Sequence, residues 1–242
     1  MAKQIIGVLG GMGPQATCDL FQKLINATPA RTDQEHLHII IDNNPAIPDR
    51  SAYILGSGPD PTPALVESAC RLARAGCDFL VIPCNTAHCF IRAVEEAAGI
   101  PVLNMVEITA EEARRRLKPG EAVGLLATTG TVKSGLYHEA LARQGLSLIT
   151  PSEADQKVLM ELIYGPQGIK AGFTGKDLRA QFWLLAERLV SRGARLVIAG
   201  CTEIPLVLED GDISVPVLDS TDLLAKAAVE RALSGAAACA SR

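Results

Sequence analysis

The chain has 242 residues, 48% of them hydrophobic and 21% charged, with a formal net charge of −4. That balance is ordinary for a globular protein, and the size suffices to bury roughly 70–75% of the unfolded surface. No basic stripe is present and aromatics make up only 4%, which argues against nucleic acid as a partner and against base-stacking platforms. The seven cysteines (18, 70, 77, 84, 89, 201 and 239) are odd in number and include no C-x-x-C, so a reducing cytoplasm is expected. Cys70, Cys77, Cys84, Cys89 and His88 lack the short paired spacings of a zinc site, and no metal is expected. The apolar run Ile5–Leu9 is too short for a signal-peptide core, and no stretch approaches a membrane span.

In chain order, Ile5–Leu9 reads as a strand, followed by a glycine loop, Gly10–Gly13, and a helix over Thr17–Ala27 with Pro14 in its first turn. His36–Ile41 reads as a second strand with His36 and His38 alternating on it, leading to a polar loop, Asp42–Arg50. After another proline-rich loop, Ala64–Ala75 reads as a helix ended by Gly76. Phe79–Ile82 is an apolar run that ends in Cys84, with a helix over Phe90–Ala98, a stop at Gly99 and a strand at Pro101–Leu103.

The pattern then returns. Ala122–Leu126 and the loop Thr128–Thr131 mirror the first strand and its loop, and Leu196–Ala199 leads to Cys201 as the earlier run leads to Cys84. Gly7 and Gly124 are 117 residues apart, as are Cys84 and Cys201, and Val215–Leu218 echoes Ile100–Leu103 at an offset of 115. A period this long means duplicated lobes rather than a solenoid. The expected fold is α/β: two similar lobes, each a short parallel sheet flanked by helices, related by internal duplication, with a site in the interlobe cleft. The expected boundaries are 1–106 plus 208–242 for the N-terminal lobe and 107–207 for the second. Asp222–Leu233 reads as a closing helix, and the Ala/Ser-rich tail after Ser234 as frayed.

Parallel sheets collect chemistry outside the carboxyl ends of their strands, where both cysteines fall. A helix N-terminus lowers a thiol pKa, and two thiols, one protonated and one not, can remove a proton from a carbon and return it on the opposite face. Taken alone, the residues explain two buried structural cysteines equally well. Polar neighbours favour a site: Asn85 and Thr86 follow one thiol, and Thr202 and Glu203 the other. Thr128, Thr129, Gly130 and Thr131 offer hydroxyls and N–H groups for a carboxylate.

Several blocks together resemble the aspartate/glutamate racemase family, on its aspartate racemase side. They are Ile6–Pro14, Pro48–Arg50, Pro83–His88, Leu125–Thr131 and Gly200–Pro205, in the family's order between about residues 5 and 225. The resemblance implies two α/β lobes, no cofactor and a homodimer. It also implies catalysis by the cysteine pair: Cys201 takes the α-proton of the L-amino acid and Cys84 that of the D-form. Some relatives carry Thr at one of these positions, whereas both cysteines are intact here. Glutamate racemases usually show an Asp-Ser pair after the first strand; Gly10–Gly13 stands there instead, which favours aspartate over glutamate.

Without pyridoxal phosphate as an electron sink, fixed cations and donors must stabilise the developing negative charge. Arg50 is the first candidate for the substrate carboxylate, with Asp49 orienting it. Lys170, 120 residues on, stands near the position equivalent to Arg50 in the second lobe, and the two cations together suit a dicarboxylic substrate. Met12 is expected to touch the ligand, and Glu203 to tune Cys201 or meet the substrate ammonium. His88 and His138 more often pack or face solvent than shuttle protons. Three rival readings remain open, the first being a racemase of glutamate or of a broader range of acidic amino acids, or another cysteine-pair enzyme such as one acting on hydantoins; the other two lie outside that family. One is a dinucleotide loop, from Gly11, Gly13 and Ala16 with Asp42 as the acidic partner; the other is a non-catalytic protein that binds an acidic amino acid.

Overall fold

The computed structural model describes residues 3–234; the expectation for the tail after Ser234 lies outside the described residues. The chain divides into two compact units. Among the described residues, the first comprises 3–53, 58–105 and 221–234, and the second 54–57 and 106–220.

The first unit contains β1 (Ile6–Gly10), α1 (Pro14–Ala27), β2 (Ile39–Asn43), α2 (Arg50–Ile54, whose last residue counts with the second unit), α3 (Thr62–Arg74), β3 (Phe79–Val81) and α4 (Ile91–Ala98). The chain crosses to the second unit after Met105, the first residue of α5 (Met105–Arg116). There it forms β4 (Ala122–Leu126), α6 (Thr129–Lys133), α7 (Leu136–Arg143), β5 (Ser147–Ile149), α8 (Glu153–Tyr164), α9 (Lys176–Ser191), β6 (Ala194–Ala199) and β7 (Val217–Asp219). It returns through α10 (Ser220–Ser234).

Both sheets are parallel and wound alike. The first runs β2-β1-β3, with a further parallel bridge from Leu80 to Val102, and the second runs β5-β4-β6-β7. The register repeats as well as the order. Gly7 pairs with Leu80 and Gly124 with Val197, so both partners shift by the same 117 residues. The duplication read from the sequence is therefore built into the hydrogen-bond ladders.

The central strands β1 and β6 are apolar along nearly their whole length, because helices cover both faces of such a sheet. On α3 the buried residues Leu65, Ser68, Ala69 and Leu72 recur at helical spacing, forming one stripe toward the core. That core gathers Leu9, Leu65, Leu72, Leu80, Ile82 and Val94 in the first unit. In the second unit it gathers Leu126, Leu159, Phe182, Leu189 and Val197. Gly99 ends α4 at φ 68°, the left-handed cap that glycine adopts without strain.

Three expectations are corrected. Residues 208–220 belong to the second unit, because β7 hydrogen-bonds to β6. The second strand is Ile39–Asn43, since its pairing starts where β1 starts, at Ile6 opposite Ile39. His36 and His38 therefore precede the strand. Pro101–Leu103 makes only the single bridge at Val102, since Pro101 has no N–H to extend a ladder.

Candidate active site

All strands of a parallel sheet point the same way, so the segments that follow them emerge at one edge. In the first unit these segments are the glycine loop after β1, the Arg50 segment after β2 and the Cys84 turn after β3. In the second they are the threonine turn after β4, the Lys170 segment beyond β5 and α8, and the Cys201 turn after β6. Each unit thus carries part of the predicted set, including one of the two cysteines.

In the first unit Arg50 is buried, and its guanidinium donates to the carbonyl of Pro48 at 3.0 Å and to that of Met12 at 3.3 Å. Arg50 is the first residue of α2, and the Asp49 carboxylate accepts the Ala52 N–H at 2.7 Å. Asp49 therefore caps the helix that carries Arg50. Met12 packs its side chain into the core and presents its carbonyl to Arg50. The glycine loop is shaped by its own chain. Gly11 has φ 95°, and a Cβ there would lie 2.3 Å from the Asn44 backbone. Its N–H goes to the Thr17 hydroxyl at 2.9 Å. Asp42, the acidic residue of the dinucleotide reading, is engaged by Ser68 at 2.5 Å and Arg71 at 2.6 Å.

Cys84 lies three residues beyond β3, buried beside Asn85 and Thr86. Its carbonyl accepts the Ala87 N–H at 3.2 Å and lies 2.9 Å from Nδ1 of His88. Nε2 of His88 accepts the Met105 N–H at 3.1 Å.

In the second unit the thiol of Cys201 donates to Glu203 Oε2 at 3.1 Å, and the Thr202 hydroxyl donates to the same oxygen at 3.4 Å. The other Glu203 oxygen is ion-paired with Lys170, whose ammonium also lies 5.6 Å from the centre of the Tyr164 ring. Burial pushes the Cys201 thiol well above its ordinary range, and the Glu203 charge pushes it further; Lys170 opposes them. This corrects the expectation of a depressed pKa: the thiol is buried, its nearest charge is negative, and it is protonated at neutral pH. Lys170 is thus the counter-ion of Glu203 rather than an isolated cation.

Thr128 caps α6 by accepting the Thr131 N–H at 3.3 Å, and the two hydroxyls lie 3.1 Å apart, beside the buried Gly130. The Thr129 hydroxyl receives Gln156 Nε2 at 3.3 Å, and the Thr129 N–H meets the Met160 sulfur at 3.2 Å. A cavity of about 800 Å³ opens beside Thr129, lined by Lys133, Gln156, Met160 and Tyr164 among others. The last three stand four residues apart on α8, a helical stripe that no motif flags. Among the described residues, no group of three or more His, Cys, Asp or Glu is gathered as metal ligands would be, and no helix is long and apolar enough to cross a membrane.

Twin parallel sheets, each with a buried cysteine at the matching strand end, define a duplicated α/β class of protein. The chain belongs to the Asp/Glu/Hydantoin racemase family, whose pattern it matches over residues 9–228. It is 28% identical over 233 residues to the broad specificity amino-acid racemase RacX of Bacillus subtilis, covering 93% of this chain and 96% of that one. It is similar in structure to Picrophilus torridus aspartate racemase, at a TM-score of 0.82 and 29% identity, covering 95% of this chain and 94% of the other. The glutamate racemase of Corynebacterium glutamicum is 28% identical over 192 residues, 75% of this chain and 67% of that one.

Proposed function

We propose that the chain racemises an acidic amino acid, aspartate foremost, without a cofactor, using Cys84 and Cys201 as two bases on opposite faces of one α-carbon. The observation that carries this reading is the repeated placement of the thiols. Each follows the strand next to its sheet's first strand, in one register, 117 residues apart. Cys201, holding its proton, is the acid that completes D-to-L turnover. For the L-amino acid it must first release that proton, and Glu203 at 3.1 Å is the acceptor in line. Arg50, held by the backbone carbonyls of Ile47, Pro48 and Met12, is the cation for a substrate carboxylate. In the same reading the Thr128–Thr131 turn, Asn85, Thr86 and Thr202 are the hydroxyl and amide donors for the substrate. A homodimer in the cytoplasm is part of the same reading.

A broader substrate range is the second reading. RacX, similar over nearly the whole chain, is described as broad in specificity.

Circular dichroism across the acidic and neutral amino acids, with α-proton exchange followed in deuterium oxide, separates these readings. Exchange and loss of optical activity are expected with L-aspartate, and Cys84→Ala and Cys201→Ala should each abolish racemisation. Binding without exchange would favour the non-catalytic alternative. Equal turnover of neutral amino acids would favour the broader one.

A further inference from the structure

His88 is buried, with only 2% of its surface exposed. Its two ring nitrogens have different tasks. Nε2 lies 3.1 Å from the Met105 N–H, a donor that cannot give up its proton, so Nε2 carries the lone pair. The ring proton is therefore on Nδ1, aimed at the Cys84 carbonyl at 2.9 Å. Burial also holds the imidazole pKa below its ordinary value, so the ring stays neutral. With both nitrogens committed to backbone groups, the imidazole is not arranged to shuttle protons.

The backbone of Asn85 and Leu103 also meets the ring, but the Cys84 carbonyl and the Met105 N–H lie on different elements. Cys84 sits in the turn after β3, whereas Met105 is the first residue of α5, where a helix leaves its N–H groups without intrahelical acceptors. Met105 is also the last residue of the first unit before the chain crosses over. One side chain thus ties the peptide of Cys84 to the start of the crossing helix. We propose that His88 is the positioning residue for Cys84: it fixes the direction of the thiol by clamping its carbonyl to the first turn of α5. The proposal rests on the reading of Cys84 as the base for the D-amino acid. That role needs the sulfur held to a fraction of an ångström, since displacement by about 1 Å can cost roughly a hundredfold in rate.

The test uses three variants of the full chain. His88→Asn keeps a donor near Nδ1, His88→Gln keeps an acceptor near Nε2, and His88→Phe keeps neither. With aspartate as substrate, His88→Phe is expected to lower kcat about tenfold while KM moves less than about twofold, as for one lost buried hydrogen bond. His88→Asn should recover most of that loss. Enantiomers are equally stable, so kcat/KM must fall equally in both directions; the specific signature is in isotope effects. With Cys84 misplaced, the primary deuterium effect on kcat/KM should rise for α-deuterated D-aspartate and shrink for the L-form. Symmetric isotope effects, or unchanged kcat with only a lower melting temperature, would overturn the proposal. If His88→Phe does not fold, the Asn and Gln variants carry the same isotope test.

Should the parent enzyme racemise no amino acid, the reading of function fails separately. The positioning role is then judged by iodoacetamide labelling mapped by mass spectrometry. Cys84 in the variants should change its labelling rate about threefold or more while exposed Cys18 does not. An unchanged Cys84 rate would refute the proposal.

Discussion

Cys201 and Glu203 are two residues apart, yet their chemistry depends on Lys170, 33 residues earlier in the chain. The thiol is raised by burial and by the carboxylate and is relieved by the ammonium, which gives a signed prediction. Alkylation proceeds through the thiolate, so labelling of Cys201 should accelerate only above the ordinary thiol range. Glu203→Gln removes one of the two raising influences and should move that profile to lower pH, still above an exposed thiol because burial remains. Lys170→Met removes the opposing charge and should move it higher. Opposite shifts would show that the carboxylate does not act on the thiol. Arg50 is tested by substrate: Arg50→Ala should lower kcat/KM for both enantiomers roughly tenfold to a hundredfold, the size of a lost charge-assisted contact. Retained kcat/KM would remove Arg50 from the site.

At the level of elements, the glycine loop after β1 is where sequence and structure part most instructively. Its pattern fits both a dinucleotide loop and a racemase block, because both use glycines to turn from strand to helix. Here the Asn44 backbone occupies the space that a side chain at position 11 would need. Gly11→Ala should destabilise the protein by about 1–3 kcal/mol, the usual scale for a forced left-handed residue, measured by urea unfolding. A neutral result would mean that the loop yields. The second strand shows the converse limit: an apolar run announces a strand but not its first paired residue, which the neighbouring strand decides.

For the whole molecule, the two units are unequal in connectivity although alike in winding. The second sheet lies within residues 106–220, whereas the first unit needs α10 from the far end of the chain. Leu224, Ala225, Ala228 and Ala232 of α10 are fully buried, the Gln4 N–H donates to the Ala232 carbonyl at 3.1 Å, and Arg231 stacks 5.0 Å from the centre of the Phe79 ring. A fragment of residues 106–220 should show a cooperative thermal transition by circular dichroism. A fragment of residues 1–105 should not, unless residues 221–234 are supplied. A cooperative melt of 1–105 alone would contradict this account of the first unit.

The sequence alone determined the α/β class, the duplication and the two cysteines, because these are written in local periodicity and in blocks repeated at a constant offset. It also marked Arg50 and the threonine turn, whose residue types announce polar work at strand ends. Tertiary structure alone decided the protonation of Cys201, the pairing of Lys170 with Glu203, the tautomer of His88 and the membership of residues 208–220. Each of these depends on burial or on a partner far along the chain. Desolvation, charge and strand pairing act through space, where separation in sequence carries no information.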